Sequence, residues 1–168
     1  MGEWRILFSQ KIYPDFPFVK KDWLAIAFDR DNYDNTRLPE WFFGEAKLEF
    51  SQHQEPILLK GYGERYENIG DGIELPFEWE AYRQFMCTSK NYSPDYMMKG
   101  PANDWAFWGD PETSVWGGEA AAMERIFDRR GGKEAVFALM LEEFGIPFGL
   151  SAYHELQAYL RRLVYPQS

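Results

Sequence analysis

EAAAMERIFDRRGGKEAVFALMLEEF, residues 119–144, predicts two helices separated by a pair of glycines. The first helix covers residues 119–130, and the second covers Lys133–Phe144 and ends at Gly145. A glycine just past a helix adopts left-handed backbone angles at little cost, and Pro147 then prevents the helix from continuing. This stretch therefore predicts a helical end to the chain.

A third helix is predicted to begin at Ser151, whose side chain is suited to cap the first turn. Apolar residues then recur at the spacing of one helical face: Tyr153, Leu156, Leu160 and Leu163 or Val164. Such a stripe is typical of a helix that packs against another layer. Arg161 and Arg162 fall in the last turn, where the helix dipole favours positive charge.

The first 75 residues have the character of strands and turns. The candidate strands are residues 4–12 (WRILFSQKI), 23–28 (WLAIAF), 41–50 (WFFGEAKLEF) and 56–61 (PILLKG). In the third of these, apolar and charged residues alternate from residue 45 onward, which is the period of a strand with one wet face. The polar segment 29–35 (DRDNYDN) is predicted to be a turn. Sequential strands with short connections favour an antiparallel or mixed sheet.

Residues 76–118 combine a predicted helix with a predicted hairpin. Pro76 suits the first position of a helix, and apolar residues follow at helical spacing to about residue 90. Segments 104–108 and 114–116 are interpreted as the two strands of a hairpin, because the residues between them suit a type I turn.

The whole chain, residues 1–168, is therefore predicted to be a single α+β domain. Its N-terminal sheet has about four to six strands and packs against C-terminal helices. A strand-rich region (1–75) is followed by a mixed acidic and aromatic segment (76–118) and a helical region (119–168). The length suits one domain, and no linker rich in Pro, Gly or Ser divides the chain.

Composition and charge exclude several classes of protein. The chain has 18 Lys and Arg against 27 Asp and Glu, a net charge of −9. This charge repels phosphate backbones, so direct nucleic-acid binding is not expected. No apolar run approaches the roughly 20 residues of a membrane-spanning helix, and the first residues lack a leader pattern. A single cysteine, Cys87, forms no internal disulfide, which is typical of a cytoplasmic protein.

No residue pattern indicates a catalytic centre, a metal site or a cofactor. Asp29, Asp31 and Glu40 occupy the first, third and twelfth positions of a calcium loop. However, Tyr33 and Asp34 stand where that loop requires a ligand oxygen and a glycine, so we interpret the segment as a solvated acidic turn. Cysteine and histidine are too few for a zinc motif, and no nucleophile motif occurs.

Negative charge and aromatic residues are concentrated in residues 61–118. This segment contains 4 basic and 10 acidic residues, a balance of −6, together with 12 aromatic residues. Aromatic side chains contribute contact area at low entropic cost, and carboxylates accelerate encounter with a basic protein. The alternative is that the aromatics fill the core. The candidate binding residues are Tyr62, Glu67, Asp71, Glu74, Glu78, Trp79, Glu80, Trp105, Trp108, Asp110, Glu112 and Trp116.

Three functions remain as hypotheses. In size and composition, though in no motif, the chain resembles bacterial immunity proteins, inhibitors that neutralise a basic toxin or nuclease by covering its active site. This resemblance implies a non-catalytic protein-binding domain. The alternative is a small-molecule or carbohydrate-binding protein or enzyme, which stacks tryptophans on sugar rings and uses Glu78 or Glu80 as acid or base. The third hypothesis is a nucleic-acid mimic that occupies DNA-binding surfaces.

Overall fold

A computed structural model describes residues 4–9, 11, 13–50, 55–61, 72–88, 95–109, 113–145 and 149–166. Six strands form one sheet: β1 (Leu24–Phe28), β2 (Ile57–Gly61), β3 (Ile73–Leu75), β4 (Tyr96–Lys99), β5 (Trp105–Gly109) and β6 (Ser114–Gly118). The α-helices in the described part of the chain are α1 (Glu40–Phe50), α2 (Trp79–Cys87), α3 (Ala120–Asp128), α4 (Lys133–Phe144) and α5 (Leu150–Val164).

The sheet is antiparallel throughout, with the strand order β1-β6-β5-β4-β2-β3. Its packing against helices confirms the predicted α+β class. The strands predicted at residues 23–28 and 56–61 are observed as β1 and β2, and the predicted hairpin is observed as β5 and β6. β3 and β4 correspond to no predicted strand.

One face of the sheet is covered by α1 and α2. Trp116 of β6 packs edge-on against Phe42 of α1, with ring centroids 5.5 Å apart. Phe43 of α1 stacks on Tyr82 of α2, with centroids 5.2 Å apart. This layer is almost entirely aromatic, which accounts for much of the aromatic content of the chain.

The opposite face is covered by α4, α5 and the first described residues. Phe8 packs against Trp108 of β5, with ring centroids 5.4 Å apart. The Ala27 amide of β1 points away from β6 and donates to Sδ of Met140 in α4 at 3.2 Å. α4 therefore covers the outer edge of β1, which would otherwise be open to pairing with another chain.

The strand predicted at residues 41–50 is wrong, because this segment forms helix α1. Its buried residues are Phe42, Phe43, Ala46 and Phe50, which share one helical face. Glu49 lies one helical turn after Glu45, and their carboxylates form ion pairs with Arg125 or Arg129 at the end of α3. Alternation would bury Leu48 with Ala46 and Phe50, but Leu48 is 75% exposed, because a helix turns it away from their face.

The strand predicted at residues 4–12 is also wrong. Trp4–Ile6 is a 3₁₀ helix, and among the described residues of this segment the strand pairing is an isolated bridge between Phe8 and Phe18. The bridge is short because Pro14 and Pro17 interrupt the returning segment and remove backbone donors.

The turn predicted at residues 29–35 is confirmed, and it carries the 3₁₀ helices Arg30–Asn32 and Asp34–Thr36. Two smaller expectations need correction. Helix α5 begins at Leu150 after Gly149, so Ser151 lies inside the helix and does not cap it. The apolar residues just before Cys87 predict an inward position for this cysteine, but it is exposed at the end of α2.

Candidate functional site

The twelve residues predicted for binding fall into three groups. Five of them lie outside the described residues: Tyr62, Glu67, Asp71, Asp110 and Glu112. Three are the tryptophans Trp105, Trp108 and Trp116, which lie in the core at 0–3% exposure. The remaining four are at least partly exposed: Glu74, Glu78, Trp79 and Glu80.

The buried tryptophans are held by ring contacts on both sides of the sheet. Trp105 stacks on Trp116 with ring centroids 4.2 Å apart and an interplanar angle of 11°. Trp108 occupies the opposite face, against Phe8. None of the three rings offers an exposed face to a partner or to a sugar.

The structure brings Glu78, Trp79 and Glu80 together at the start of α2, but their charges are partly neutralised. Glu78 forms an ion pair with Lys47 of α1, and Glu80 forms one with Arg83 at 2.8 Å. Hydrogen bonds from Arg83, and then from Gln84, lower the pKa of the exposed Glu80 carboxyl to about 2. Glu74 is separated from this group, because the alternation along β3 directs its side chain to the other face of the sheet.

A second acidic region is formed where five strands end together. Phe28, Ser114, Gly109, Tyr96 and Gly61 are paired in register across β1, β6, β5, β4 and β2, and so form one row. The next residue along the chain after Phe28 is an aspartate, and another aspartate precedes Tyr96. This end of the sheet therefore carries carboxylates from segments that are far apart in the sequence, and Arg30 neutralises part of their charge through an ion pair with Asp95 at 3.5 Å.

The acidic sheet end, as we define it, contains five carboxylates and two aromatic rings: Asp29, Asp31, Asp34, Asp95, Glu143, Tyr33 and Trp41. Asp29 caps the 3₁₀ helix Arg30–Asn32, because its Oδ1 accepts from the Asp31 amide at 3.0 Å. Asp31 and Asp34 are exposed, and neither forms an ion pair within the described residues.

Glu143 joins this region from helix α4. Its Oε1 accepts a hydrogen bond from the Asp29 amide at 2.8 Å, and the Tyr33 hydroxyl also bonds to its carboxyl group. Burial, together with the nearby Asp29 charge, raises the pKa of Glu143 above its ordinary value. Burial and the Glu143 charge also raise the pKa of Tyr33.

Two aromatic rings border these carboxylates. Tyr33 and Trp41 are both half-buried and pack edge-on against Phe28, with ring centroids 6.1 and 6.3 Å away. Arg130, two residues after the end of α3, lies over the Trp41 ring at 4.0 Å from its centroid. Each ring therefore has one side fixed against the core and another side that reaches the surface.

A buried network holds the acidic turn in place. The hydroxyls of Tyr82 and Tyr96 both donate to the backbone oxygen of Thr36, at 2.5 and 2.9 Å. The two hydroxyls also lie within hydrogen-bonding distance of each other. Burial raises the pKa of both tyrosines, so these groups remain neutral donors.

Sequence reasoning missed Tyr33, Trp41 and Glu143 as members of a site. Tyr33 was included in a turn interpreted as solvated, and Trp41 was assigned to a strand. Glu143 lies 114 residues from Asp29, so no local pattern connects them. The sequence did contain one signal, the three aspartates on either side of Tyr33. Tyrosine is enriched among the residues that contribute most to protein interfaces, so a tyrosine within an acidic turn is a candidate contact.

Within the described residues, no three His, Cys, Asp or Glu side chains are placed to hold a metal ion. None of the helices there has the length and apolar composition needed to cross a membrane. Neither a family model, a curated protein nor a solved structure matches this chain.

Proposed function

We propose that this chain is a non-catalytic, acidic protein-binding domain that neutralises a basic toxin or nuclease by covering its active site. The binding surface would be the acidic sheet end. One observation carries the proposal: carboxylates without ion-pair partners in the described residues, Asp31 and Asp34, lie beside the half-buried rings of Tyr33 and Trp41.

Two physical effects support a basic partner. Carboxylates that form no ion pair within the described residues add negative potential, which steers a cationic protein and raises its association rate. Rings that are already held on one side lose little conformational entropy on binding, so they are suited to be the apolar centre of an interface. A net charge of −9 adds to the long-range attraction.

A nuclease is a suitable class of target because its active site must attract phosphate groups. Such sites are lined with Lys and Arg, which bind phosphate through charge-assisted hydrogen bonds. A surface of carboxylates competes for the same donors and excludes the substrate by occupying the site. No catalytic group is needed on the inhibitor.

The proposal is tested by capture and inhibition. The protein is immobilised and used to retain proteins from its native lysate at low and high salt, beside a bait carrying Asp31→Lys and Asp34→Lys. We expect a basic protein that is retained by the unmodified bait, released by salt and absent from the charge-reversed bait. The purified partner should lose its own activity, nuclease activity first, when the unmodified protein is added.

A matched control carries the same charge change at the opposite end of the sheet, as Asp22→Lys and Glu119→Lys. Both of these residues are exposed. The control bait should retain the partner. If it loses the partner as readily as the first variant, the acidic sheet end is not the binding surface. If the captured protein keeps full activity in the complex, neutralisation is rejected as the function.

The carbohydrate alternative receives no supporting observation. It relied on stacking by Trp105, Trp108 and Trp116, whose rings are buried. Its acid or base, Glu78 or Glu80, is exposed, and each is engaged in an ion pair.

A further inference from the structure

A small basic cavity lies on the side of the molecule formed by the C-terminal end of α5 and the loop before β1. Its volume is about 180 Å³, and its lining residues are Phe16, Lys21, Arg162 and Pro166. It combines two cationic side chains with an aromatic ring and a proline ring. The cavity shares no residue with the acidic sheet end.

The aromatic wall is fixed by the core. Phe16 packs edge-on against Phe18, with ring centroids 5.5 Å apart, and Phe18 is completely buried. The backbone oxygen of Phe16 accepts a hydrogen bond from Ser9 Oγ at 3.0 Å. The ring is therefore already ordered and loses little entropy when a ligand binds.

The two cations are also held near the ring. Arg162 donates from Nη2 to the Pro14 oxygen at 2.8 Å, which uses one of its five N–H groups and leaves the others for a ligand. The Lys21 ammonium lies over the Phe16 ring, 5.5 Å from its centroid. Within the described residues, neither cation forms an ion pair.

The cations next to Lys21 and Arg162 in the sequence are engaged by other partners. Lys20 donates to the Asn103 oxygen at 2.9 Å, and Arg161 pairs with Glu134 at 3.3 Å. Lys21 and Arg162 are thus distinguished from their neighbours, because they line an apolar cavity to which no described residue contributes a carboxylate. Two such charges on a protein of net charge −9 form a local site for an anion.

We infer that this cavity binds a carboxylate attached to a small apolar group. The carboxylate would bridge Lys21 and Arg162, and the apolar group would pack on Phe16 and Pro166. Carboxylate recognition by Arg is a charge-assisted interaction with good geometric fit. A cavity of about 150 Å³ accommodates benzene, so a monocyclic ring is the right size for this one.

This chemistry has two sources, a free small carboxylate and the C-terminus of a polypeptide with an apolar last residue. Benzoate and N-acetylphenylalanine represent them. Benzamide and N-acetylphenylalanine amide are neutral matches of the same shape. Binding of each is measured at constant ionic strength from amide chemical shifts of the ¹⁵N-labelled protein, titrated to millimolar concentration.

We expect at least one acid to shift the amides around Phe16 and Lys21, with an affinity about tenfold or more above that of its neutral match. Whichever acid binds more tightly identifies the source. The variant with Lys21→Gln and Arg162→Gln should lose about tenfold in affinity. Arg161→Gln removes the same charge from the adjacent position of α5 and should change nothing.

Four results would overturn the inference. They are no binding by either acid, equal binding by the neutral matches, retained affinity in the double variant, and equal loss in the Arg161→Gln control. Inorganic phosphate is included as a probe without an apolar group. If it binds as tightly as the better acid, the apolar wall contributes nothing and the assigned ligand class is wrong.

Discussion

Two aromatic pairs show opposite uses of similar side chains. Trp105 and Trp116 stack at 4.2 Å under α1 and are at most 1% exposed. Tyr33 and Trp41 contact the same sheet through Phe28, yet each keeps part of its ring at the surface. The first pair stabilises the fold, whereas the second is suited to contact a partner.

The difference arises from what covers each ring. Phenylalanine rings, one of them from helix α1, pack on Trp105 and Trp116 and exclude water from them. Tyr33 and Trp41 lie beyond the end of β1, where Arg130 lies over the Trp41 ring and part of each ring still reaches the surface. Aromatic content alone therefore does not identify a binding surface, because the exposed part of a ring depends on what packs against it.

The two aromatic pairs should differ most in the stability that is lost when one ring of each pair is removed. Trp116→Ala should lower the free energy of unfolding by about 3–5 kcal/mol, because it opens a cavity beneath α1. Trp41→Ala should cost less than about 2 kcal/mol, since the ring is only half-buried. Denaturant unfolding followed by circular dichroism measures both. Equal losses would mean that Trp41 is as much a core residue as Trp116.

Adding a methyl group, instead of removing a ring, should also distinguish a core position from a surface position by its effect on stability. In Gly117→Ala the new Cβ would clash with Cε2 of the buried Phe18, and we expect the free energy of unfolding to fall by about 1–3 kcal/mol. Gly44→Ala adds the same atom on the outer face of α1, where nothing lies within 4 Å. That control should raise stability by about 0.5–1 kcal/mol, because alanine favours helix. Stabilisation by Gly117→Ala would contradict the packing of Phe18 on β6.

Removing one hydroxyl from the network of Tyr82, Tyr96 and Thr36 should lower the stability of the protein and loosen the acidic turn. Tyr96→Phe should cost about 1 kcal/mol and accelerate hydrogen exchange at the amides of Thr36 and Arg37, which bond to the Tyr33 oxygen. Tyr165→Phe removes an exposed hydroxyl that bonds to Glu134, and it should leave both measurements nearly unchanged. Unchanged exchange in Tyr96→Phe would show that the network does not hold the acidic turn.

Glu143 should give the smallest effect, and that effect should depend on pH. Its pKa is raised in the folded state, so its contribution to stability is present below the unfolded pKa of about 4.3 and is lost as pH rises through the folded pKa. Glu143→Gln keeps an oxygen that accepts from the Asp29 amide but carries no charge. We expect it to equal or exceed the parent at pH 7 by up to about 1 kcal/mol.

This advantage should disappear as pH falls below about 4, where Glu143 itself is protonated. Unfolding is compared between the two proteins from about pH 3 to pH 8. Asp128→Asn is a suitable control, because it removes an exposed carboxylate outside the acidic sheet end. A parent that is more stable than Glu143→Gln at pH 7 would reverse the sign and reject the assigned role of burial.

Local signals predicted the elements that are defined by short-range rules. The helix at Lys133–Phe144 was predicted with its observed bounds, because glycines at both ends and a helical apolar period are contained in the segment itself. The hairpin of β5 and β6 followed from its turn residues and short connection. α1 was misassigned because the alternation of apolar and charged residues followed the period of a strand, whereas contacts with α3 and the sheet select a helix that leaves Leu48 exposed.

The proposed binding surface could not be predicted from local sequence patterns. Composition correctly identified a chain rich in acids and aromatics, but burial separates three of the four tryptophans of the predicted set from its carboxylates. Thr36 meets Tyr96 across 60 residues, and Asp29 meets Glu143 across 114. Such contacts depend on strand order and register, and neither produces a recognisable sequence pattern within one segment.

Sequence alone therefore determined the α+β class, the helical end of the chain and the excess of negative charge. These properties depend on residue type and on spacing within a few turns. Only the tertiary structure decided that Trp105 and Trp116 are core and that Tyr33, Trp41 and Glu143 meet at one end of the sheet. Burial is a property of the assembled layers, because each side chain is removed from water by residues that are distant in sequence.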